Sequence, residues 1–130
     1  MSVQVELHQI IIREMESEQF IVLKEVDGER RLPILIGNAE AFAIDRRLKG
    51  LPFPRPMTHD LLASVIENLG GVVERVEITS LENRTFYACL HIRQNAQIVK
   101  VDARPSDAIA LVAAGNIPIY VADQVMAEVV

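Results

Sequence analysis

Two short segments of the sequence carry residue types suited to phosphate chemistry. One is RPMTHD at residues 55–60, and the other is VDARPSD at residues 101–107. Arginine can hold a phosphate through paired N–H donors, carboxylates bind hard divalent cations, and histidine exchanges protons near neutral pH. Both segments lie where a helix is predicted to begin, and a helix N-terminus presents free N–H groups to anions. The chemistry that they suggest is attack of metal-activated water on a bound phosphate.

These residues, with three from the preceding helix, divide into three candidate roles. The candidate catalytic residues, with His59 as a general acid or base, are His59, Asp60, Asp102 and Asp107. The candidate nucleic-acid-binding residues are Arg46, Arg47, Arg55 and Arg104. The hypothetical ligands of a divalent cation, Mg²⁺ or Mn²⁺, are Glu40 and Asp107.

Both segments also have a purely structural interpretation. Thr58 is a good helix N-cap and Pro105 suits a first helical turn. Asp60 and Asp107 would complement the positive end of a helix dipole, and His59 would occupy a solvated first turn. Spacing alone gives no geometry in which the functional groups converge, so both interpretations stay open.

Charge and cysteine content narrow the classes of function. The net charge of −5 argues against a surface devoted to nucleic acid, although the basic run at residues 46–49 would form a local patch if it adjoins Arg55. As cations at a helix C-terminus, the same residues have an ordinary structural role. Cys89 is the single cysteine, the N-terminus resembles no secretory signal, and the apolar runs are too short to span a membrane. We therefore expect a cytoplasmic protein without a membrane partner.

Hydrophobic periodicity predicts the elements that must position these residues. Strands are predicted at residues 3–13, 20–23, 32–36, 72–79, 85–93, 97–101 and 117–121. Helices are predicted at residues 39–49, 59–69, 105–114 and 123–130. In the second helix, the apolar residues at core-facing spacing are Leu61, Leu62, Val65, Ile66 and Leu69. Runs of strands followed by helices predict a single α+β domain, residues 1–130, with a largely antiparallel sheet.

The two halves of the chain suggest an internal duplication. EAFAI at residues 40–44 matches DAIAL at residues 107–111, and each follows a predicted strand by a short turn. The predicted caps Thr58 and Asp123 are separated by nearly the same number of residues as these two matched segments. We predict half-units at residues 1–69 and 71–130, each with three strands and two helices.

Several motifs, in order along nearly the whole chain, resemble the bifunctional nuclease domain family. They are PILIG at 33–37 followed by EA at 40–41, RP at 55–56 with THDLL at 58–62, FYA at 86–88 and DARPSDAIAL at 102–111. The resemblance implies a small α+β domain with DNase and RNase activity, as described for plant relatives. It carries over no catalytic residues, so the candidate roles above come from chemistry applied to the motif positions.

Two hypotheses of function follow. The first is a nuclease that hydrolyses DNA and RNA phosphodiesters, and the second is a non-catalytic oligomeric binding or regulatory module. We also predict a homo-oligomer, most simply a dimer, because the apolar run at residues 10–12 and the apolar segment at 125–130 exceed what the short elements readily cover.

Overall fold

Two three-stranded antiparallel meanders build most of the sheet. A computed structural model describes residues 1–51 and 53–129. The first meander comprises β1 (Ser2–Ile11), β2 (Glu18–Glu25) and β3 (Arg31–Gly37), and the second comprises β4 (Val72–Glu82), β5 (Thr85–Gln94) and β6 (Gln97–Ala103). The short strand β7 (Ile119–Ala122) joins them, running antiparallel to β1 and parallel to β4. The resulting sheet has the order β3-β2-β1-β7-β4-β5-β6.

Four helices accompany the sheet in the described part of the chain. They are α1 (Asn38–Lys49), α2 (Thr58–Asn68), α3 (Pro105–Val112) and α4 (Asp123–Val129). The predicted α+β class with a mostly antiparallel sheet is confirmed, and most element boundaries fall within two or three residues of those predicted. None of the described helices has the length and hydropathy needed to cross a membrane.

Strand register places the apolar residues of neighbouring strands on one face of the sheet. Leu23 pairs with Leu32 in the first meander, and Leu90 pairs with Val76 in the second. Directly opposed residues of paired strands point to the same face, so these side chains form a continuous apolar layer. Helix α1 packs on this layer at β2 and β3, and α3 packs on it at β4 and β5. Ile44 of α1 and the run 108–112 of α3 are buried there.

The C-terminal end of α1 confirms one prediction, and the N-terminal end of α2 corrects another. Gly50 ends α1 in the left-handed conformation with φ of 65°, as the sequence predicted. Thr58, however, is the first helical residue of α2 rather than its cap, and Met57 occupies the N-cap position. The carboxylate of Asp60 accepts the Met57 N–H at 3.1 Å, so an acidic residue in the first turn provides the capping interaction.

Helix α2 differs most from expectation. The sequence predicted that its apolar row faces the core, but no residue of α2 is buried. The exposed members of that row are Leu61, Leu62, Val65 and Leu69. The helix contacts α3 and the start of β4, while the side of α2 that carries these residues has no further layer over it in the described chain. Amphipathic spacing therefore identified the apolar face correctly but not its environment.

The duplication stays a prediction. Each half begins with a three-stranded meander followed by a helix, which agrees with the proposed half-units. The correspondence then fails at β7, because the described residues between α1 and α2 contain no strand. The equivalence of α2 and α4 is also weakened by burial, since Val125 and Met126 of α4 lie in the core.

Candidate functional site

A groove lies between the helices and the uncovered part of the sheet in the second meander. It has a volume of about 1270 Å³, and its lining is mostly apolar. Helix α1 contributes Phe42, the following loop contributes Phe53, and α2 contributes Leu62. Leu90 of β5 and Val101 of β6 line it from the sheet. The groove exists because none of the described helices covers the edge of the second meander.

Four polar side chains from three helix starts form a hydrogen-bonded cluster in this groove. His59 Nε2 lies 3.0 Å from Asp107 Oδ1. Arg104 donates to the other oxygen of Asp107 from Nε at 2.9 Å and from Nη2 at 2.8 Å. Arg104 Nη1 also lies 3.5 Å from Glu40 Oε1. We call His59, Asp107, Arg104 and Glu40 the polar cluster.

The fold brings the cluster together from distant parts of the chain. His59 and Asp107 both occupy first helical turns, of α2 and α3, and Glu40 occupies the first turn of α1. Arg104 is the N-cap residue of α3, directly after β6. Contacts of α3 with both α1 and α2 align these three helix starts. Each acidic residue there also interacts favourably with the positive end of its own helix dipole.

Burial divides the cluster into a fixed part and an accessible part. The His59 side chain is 14% exposed, whereas that of Arg104 is 66% exposed. The hydrogen bond to Asp107, followed by its charge, raises the pKa of Arg104 above its ordinary value, so Arg104 stays cationic. The arginine can therefore meet a bound anion from solvent while it holds Asp107 in place.

The bond to Asp107 also determines what His59 offers to a substrate. With Asp107 as a carboxylate, which only accepts hydrogen bonds, the 3.0 Å contact requires the hydrogen on Nε2 of the imidazole. In the neutral ring Nδ1 is then the acceptor, and within residues 1–51 and 53–129 it has no hydrogen-bond partner. A histidine held in one tautomer by a carboxylate is the arrangement that a general base requires.

Asp60 belongs to a different network from its neighbour His59. Arg46 donates to Asp60 Oδ2 at 2.8 Å, and Arg47 donates to Oδ1. Arg47 also donates to the carbonyl of Leu111 at 3.0 Å, near the C-terminal end of α3. These contacts tie the end of α1 to the start of α2 and the end of α3. Both arginines, predicted to bind nucleic acid, are thus engaged by a carboxylate.

The charge state of Asp60 follows from these contacts. Partial burial by itself would raise the pKa of Asp60, but hydrogen bonds from the Met57 amide and from Arg46 and Arg47 outweigh that effect. The net result is a pKa below the ordinary carboxyl value. Asp60 is therefore ionised wherever the protein is folded near neutral pH.

Arg46, Arg47 and Arg55 meet at one shallow depression of about 420 Å³. Asp60, Gly50, Leu51 and residues 53–56 also line it. The sequence predicted a local basic patch if the run at residues 46–49 adjoins Arg55. Arg46 and Arg47 of that run lie beside Arg55, so this condition is met. Arg46 also stacks over the Phe53 ring, with 4.8 Å from Cζ to the ring centroid, and so links the depression to the groove.

Asp102 borders the groove but takes no part in the polar cluster. It lies on β6 between Val101 and Ala103, which pair with the buried residues Leu90 and Ala88. Successive side chains of a strand point to opposite faces, so the carboxylate of Asp102 is directed away from the helices. Of the four candidate catalytic residues, His59 and Asp107 therefore belong to the polar cluster, whereas Asp60 and Asp102 do not.

The donor set around Glu40 and Asp107 does not fit a divalent cation. The guanidinium of Arg104 lies between the two carboxylates and contacts both. Among the residues that the structure describes, no three His, Cys, Asp or Glu side chains are grouped so that they would hold a metal ion. Ligation of Mg²⁺ or Mn²⁺ by Glu40 and Asp107 stays a prediction from the sequence.

Sequence reasoning missed the aromatic and aliphatic lining of the groove. Phe42 and Phe53 are about half exposed, although both lie in strongly apolar segments. Spacing alone does not distinguish Phe42 from a core residue, because an apolar residue in an amphipathic helix ordinarily faces the core. A usable signal was the loop LPFPRP at residues 51–56, where prolines hold an aromatic residue away from any regular element.

Comparison with known proteins identifies the family of the chain. The model of the "Bifunctional nuclease domain" family matches residues 21–130. An uncharacterized protein of Mycobacterium tuberculosis is 40% identical over 119 residues, which cover 92% of this chain and 71% of the relative. Bifunctional nuclease 1 of Oryza sativa subsp. japonica is 27% identical over 114 residues, and Bifunctional nuclease 2 of Arabidopsis thaliana is 27% identical over 105.

Fold and site together define a small α+β domain with a polar cluster at three converging helix starts. The chain belongs to the bifunctional nuclease domain family. The alignments with the Oryza and Arabidopsis proteins include 85% and 78% of this chain, but only 34% and 32% of the two plant proteins.

Proposed function

We propose that this chain is a nuclease that hydrolyses DNA and RNA phosphodiesters in the groove, at His59, Asp107 and Arg104. The observation that carries the proposal is the 3.0 Å contact between His59 Nε2 and Asp107 Oδ1, with Arg104 on the second oxygen of Asp107. Family membership and the names of the plant relatives support the same class of reaction.

In the proposed reaction, His59 is the general base. Its Nδ1 accepts a proton from the attacking oxygen, which is water for DNA and either water or the 2′-hydroxyl for RNA. As the new P–O bond forms, the P–O bond to the leaving sugar oxygen breaks, and that oxygen takes a proton from the His59 imidazolium or from water. Attack by the 2′-hydroxyl gives a cyclic phosphate, which water then hydrolyses. Asp107 stabilises the imidazolium that forms, because the carboxylate accepts the Nε2 hydrogen throughout. Arg104 donates to the non-bridging phosphate oxygens as negative charge builds up on them. No step passes through a metal ion, since the described donor set holds an arginine between its carboxylates.

The lining of the groove favours a single-stranded substrate. Phe42 and Phe53 present half-exposed rings near the polar cluster, and unpaired bases stack on aromatic side chains. The Arg46–Arg47–Arg55 depression adjoins the same loop, and its exposed arginine, Arg55, would contact the phosphate backbone leading away from the groove.

Digestion of single-stranded DNA and RNA by wild-type protein, His59→Gln and Asp107→Asn tests the proposal. Loss of a positioned general base lowers rates by about 10²–10⁴-fold, and we expect losses of this size in both variants. His91→Gln is the matched control, because His91 lies on β5 outside the groove lining. Equal cleavage by all four proteins would assign the activity to a contaminant or to another site and contradict the proposal.

Metal dependence is a separate part of the sequence prediction and is measured in the same assay. Cleavage is followed after EDTA treatment and after addition of Mg²⁺ or Mn²⁺. The proposed mechanism predicts activity that survives EDTA. Activity restored only by Mg²⁺ or Mn²⁺, and lost in Glu40→Gln, would instead support the predicted ligands Glu40 and Asp107.

A second candidate function, the non-catalytic binding module, is favoured by one specific observation. The groove lining is mostly apolar, and the accessible arginine of the polar cluster is already bonded to two carboxylates. If wild-type protein cleaves neither DNA nor RNA with or without metal, this candidate replaces the nuclease.

A further inference from the structure

We propose that the free edge of β6 pairs with the β6 edge of a second copy of this chain, forming a two-fold dimer with one continuous sheet. Strand β6 is the last strand of the sheet and offers its outer backbone groups to any partner. Within β6, every residue from Gln97 to Asp102 is exposed. A bare edge of this kind is a template for pairing with another chain.

Apolar side chains on β6 are placed where a second copy would cover them. Val99 and Val101 are 42% and 39% exposed, and they point to the helix-bearing face because they pair with Ile92 and the buried Leu90. Leu62 of α2 lines the same groove and is also exposed. In a two-fold pair, the second β6 would extend this face and bury the valines of both copies against each other.

The charges on β6 identify the partner as a second copy and select one register. In an antiparallel two-fold pair centred on Val101, Lys100 of each copy lies directly opposite Asp102 of the other. Two favourable cross-strand charge pairs then form on the face opposite the helices. Centring the pair on Lys100 would instead oppose two like charges, which is unfavourable. The strand is self-complementary in the first register.

The proposed interface uses residues other than the two apolar segments from which the sequence predicted an oligomer. Of the predicted apolar segment at residues 125–130, Val125 and Met126 are buried in the core and Val129 is 39% exposed. Val130 lies outside the described residues, and an interface at this segment stays a prediction. In the run at residues 10–12, Ile11 and Ile12 are 37% and 42% exposed, as much as the two valines of β6, so an interface at this run also stays a prediction. Strand β6 and helix α2 add exposed apolar side chains that those two segments do not include.

Dimerisation on β6 would also join the two grooves. Val101, Ala103 and Arg104 line the groove, and all lie on β6 or directly after it. A partner strand paired there would extend the sheet floor of each groove beyond its own chain. The inference does not depend on catalysis and holds equally for a binding module.

Charge reversal with rescue tests the interface and its register. The full chain is measured by light scattering and by sedimentation at a series of micromolar concentrations. Wild type should have twice the chain mass of 14.5 kDa. Lys100→Glu places a carboxylate opposite Asp102 in both cross-strand pairs and should raise the dimer dissociation constant about tenfold or more. The double variant Lys100→Glu/Asp102→Lys restores both pairs and should return the constant toward that of wild type.

Matched controls separate the interface from general charge effects and from folding. Arg31→Glu changes the net charge by the same amount on the opposite edge strand, β3, and should leave the dimer intact. Circular dichroism of each variant reports folding, which substitution of an exposed side chain such as Lys100 should not affect. A wild-type mass of one chain would overturn the proposal. So would an oligomer that Lys100→Glu leaves unchanged, or one that the double variant fails to restore.

Discussion

The two edge strands of the sheet, β3 and β6, have similar apolar patterns and different environments. Both end a three-stranded meander, and both precede a helix. On β3, Leu32, Ile34 and Ile36 are buried beneath α1. On β6, Val99 and Val101 occupy the helix-bearing face and remain exposed, because α3 packs on β4 and β5 instead. An alternating strand therefore identifies the apolar face, and the position of the following helix determines whether that face is covered.

The two edges also differ in their protection against pairing. Strand β3 contains Pro33, which lacks a backbone N–H and is a common feature of edge strands that do not add partners. Strand β6 has no proline and carries the self-complementary pair Lys100 and Asp102. The uncovered edge of the second meander is thus both the opening of the groove and the proposed interface.

A charge placed at equivalent positions on the two edges should have very different consequences. Ile34 is 3% exposed, so Ile34→Asp buries an unpaired carboxylate and should cost about 4 kcal/mol or more in the free energy of unfolding. Val99→Asp should change the stability of the monomer by less than about 1 kcal/mol, while it weakens self-association. Urea unfolding and light scattering measure the two effects. Similar stability losses at both positions would contradict the difference described between the edges.

A smaller effect is expected at the contacts that hold α1, α2 and α3 around the groove. Asp60→Asn leaves the largely buried Arg46 and Arg47 without their carboxylate and should cost about 2 kcal/mol at neutral pH. Because the folded-state pKa of Asp60 is lowered, its stabilisation is fully present above the pKa of the unfolded chain. It is lost as the pH falls through the lower folded-state value.

Urea unfolding of wild type and Asp60→Asn from neutral to acid pH measures this dependence. The difference in free energy between the two proteins should shrink as the pH falls below about 4. Asp45→Asn is a suitable control, since Asp45 pairs with Lys49 on the exposed side of α1. A stability difference for Asp60→Asn that does not change across the acid range would be incompatible with the role assigned to the carboxylate.

Much of this fold could be predicted from local patterns. Period-two and helical spacing identified the elements, and Gly50 marked the end of α1, because these features depend on neighbouring residues alone. The exposure of α2 could not be predicted in this way. An amphipathic helix has the same spacing whether its apolar face meets the core, a partner or a groove.

The candidate site shows the same limit. His59 and Asp107 are 48 residues apart, and only the packing of α2 on α3 brings them within 3.0 Å. His59 and Asp60 are adjacent, yet they enter separate networks because successive residues of a helix point about 100° apart. Residue types therefore identified the chemistry that residues 55–60 permit. Tertiary structure determined which residues form one hydrogen-bonded site.

The proposed catalytic pair can be examined by a double-mutant cycle of His59→Gln and Asp107→Asn on the cleavage rate. Two residues that act as one catalytic unit have strongly non-additive effects, so the double variant should be no slower than the slower single variant within about threefold. Rates on single-stranded RNA, corrected for the folded fraction of each variant, supply the four corners of the cycle. Losses that multiply independently, or single variants as active as wild type, would contradict the assignment of His59 and Asp107 as a catalytic pair.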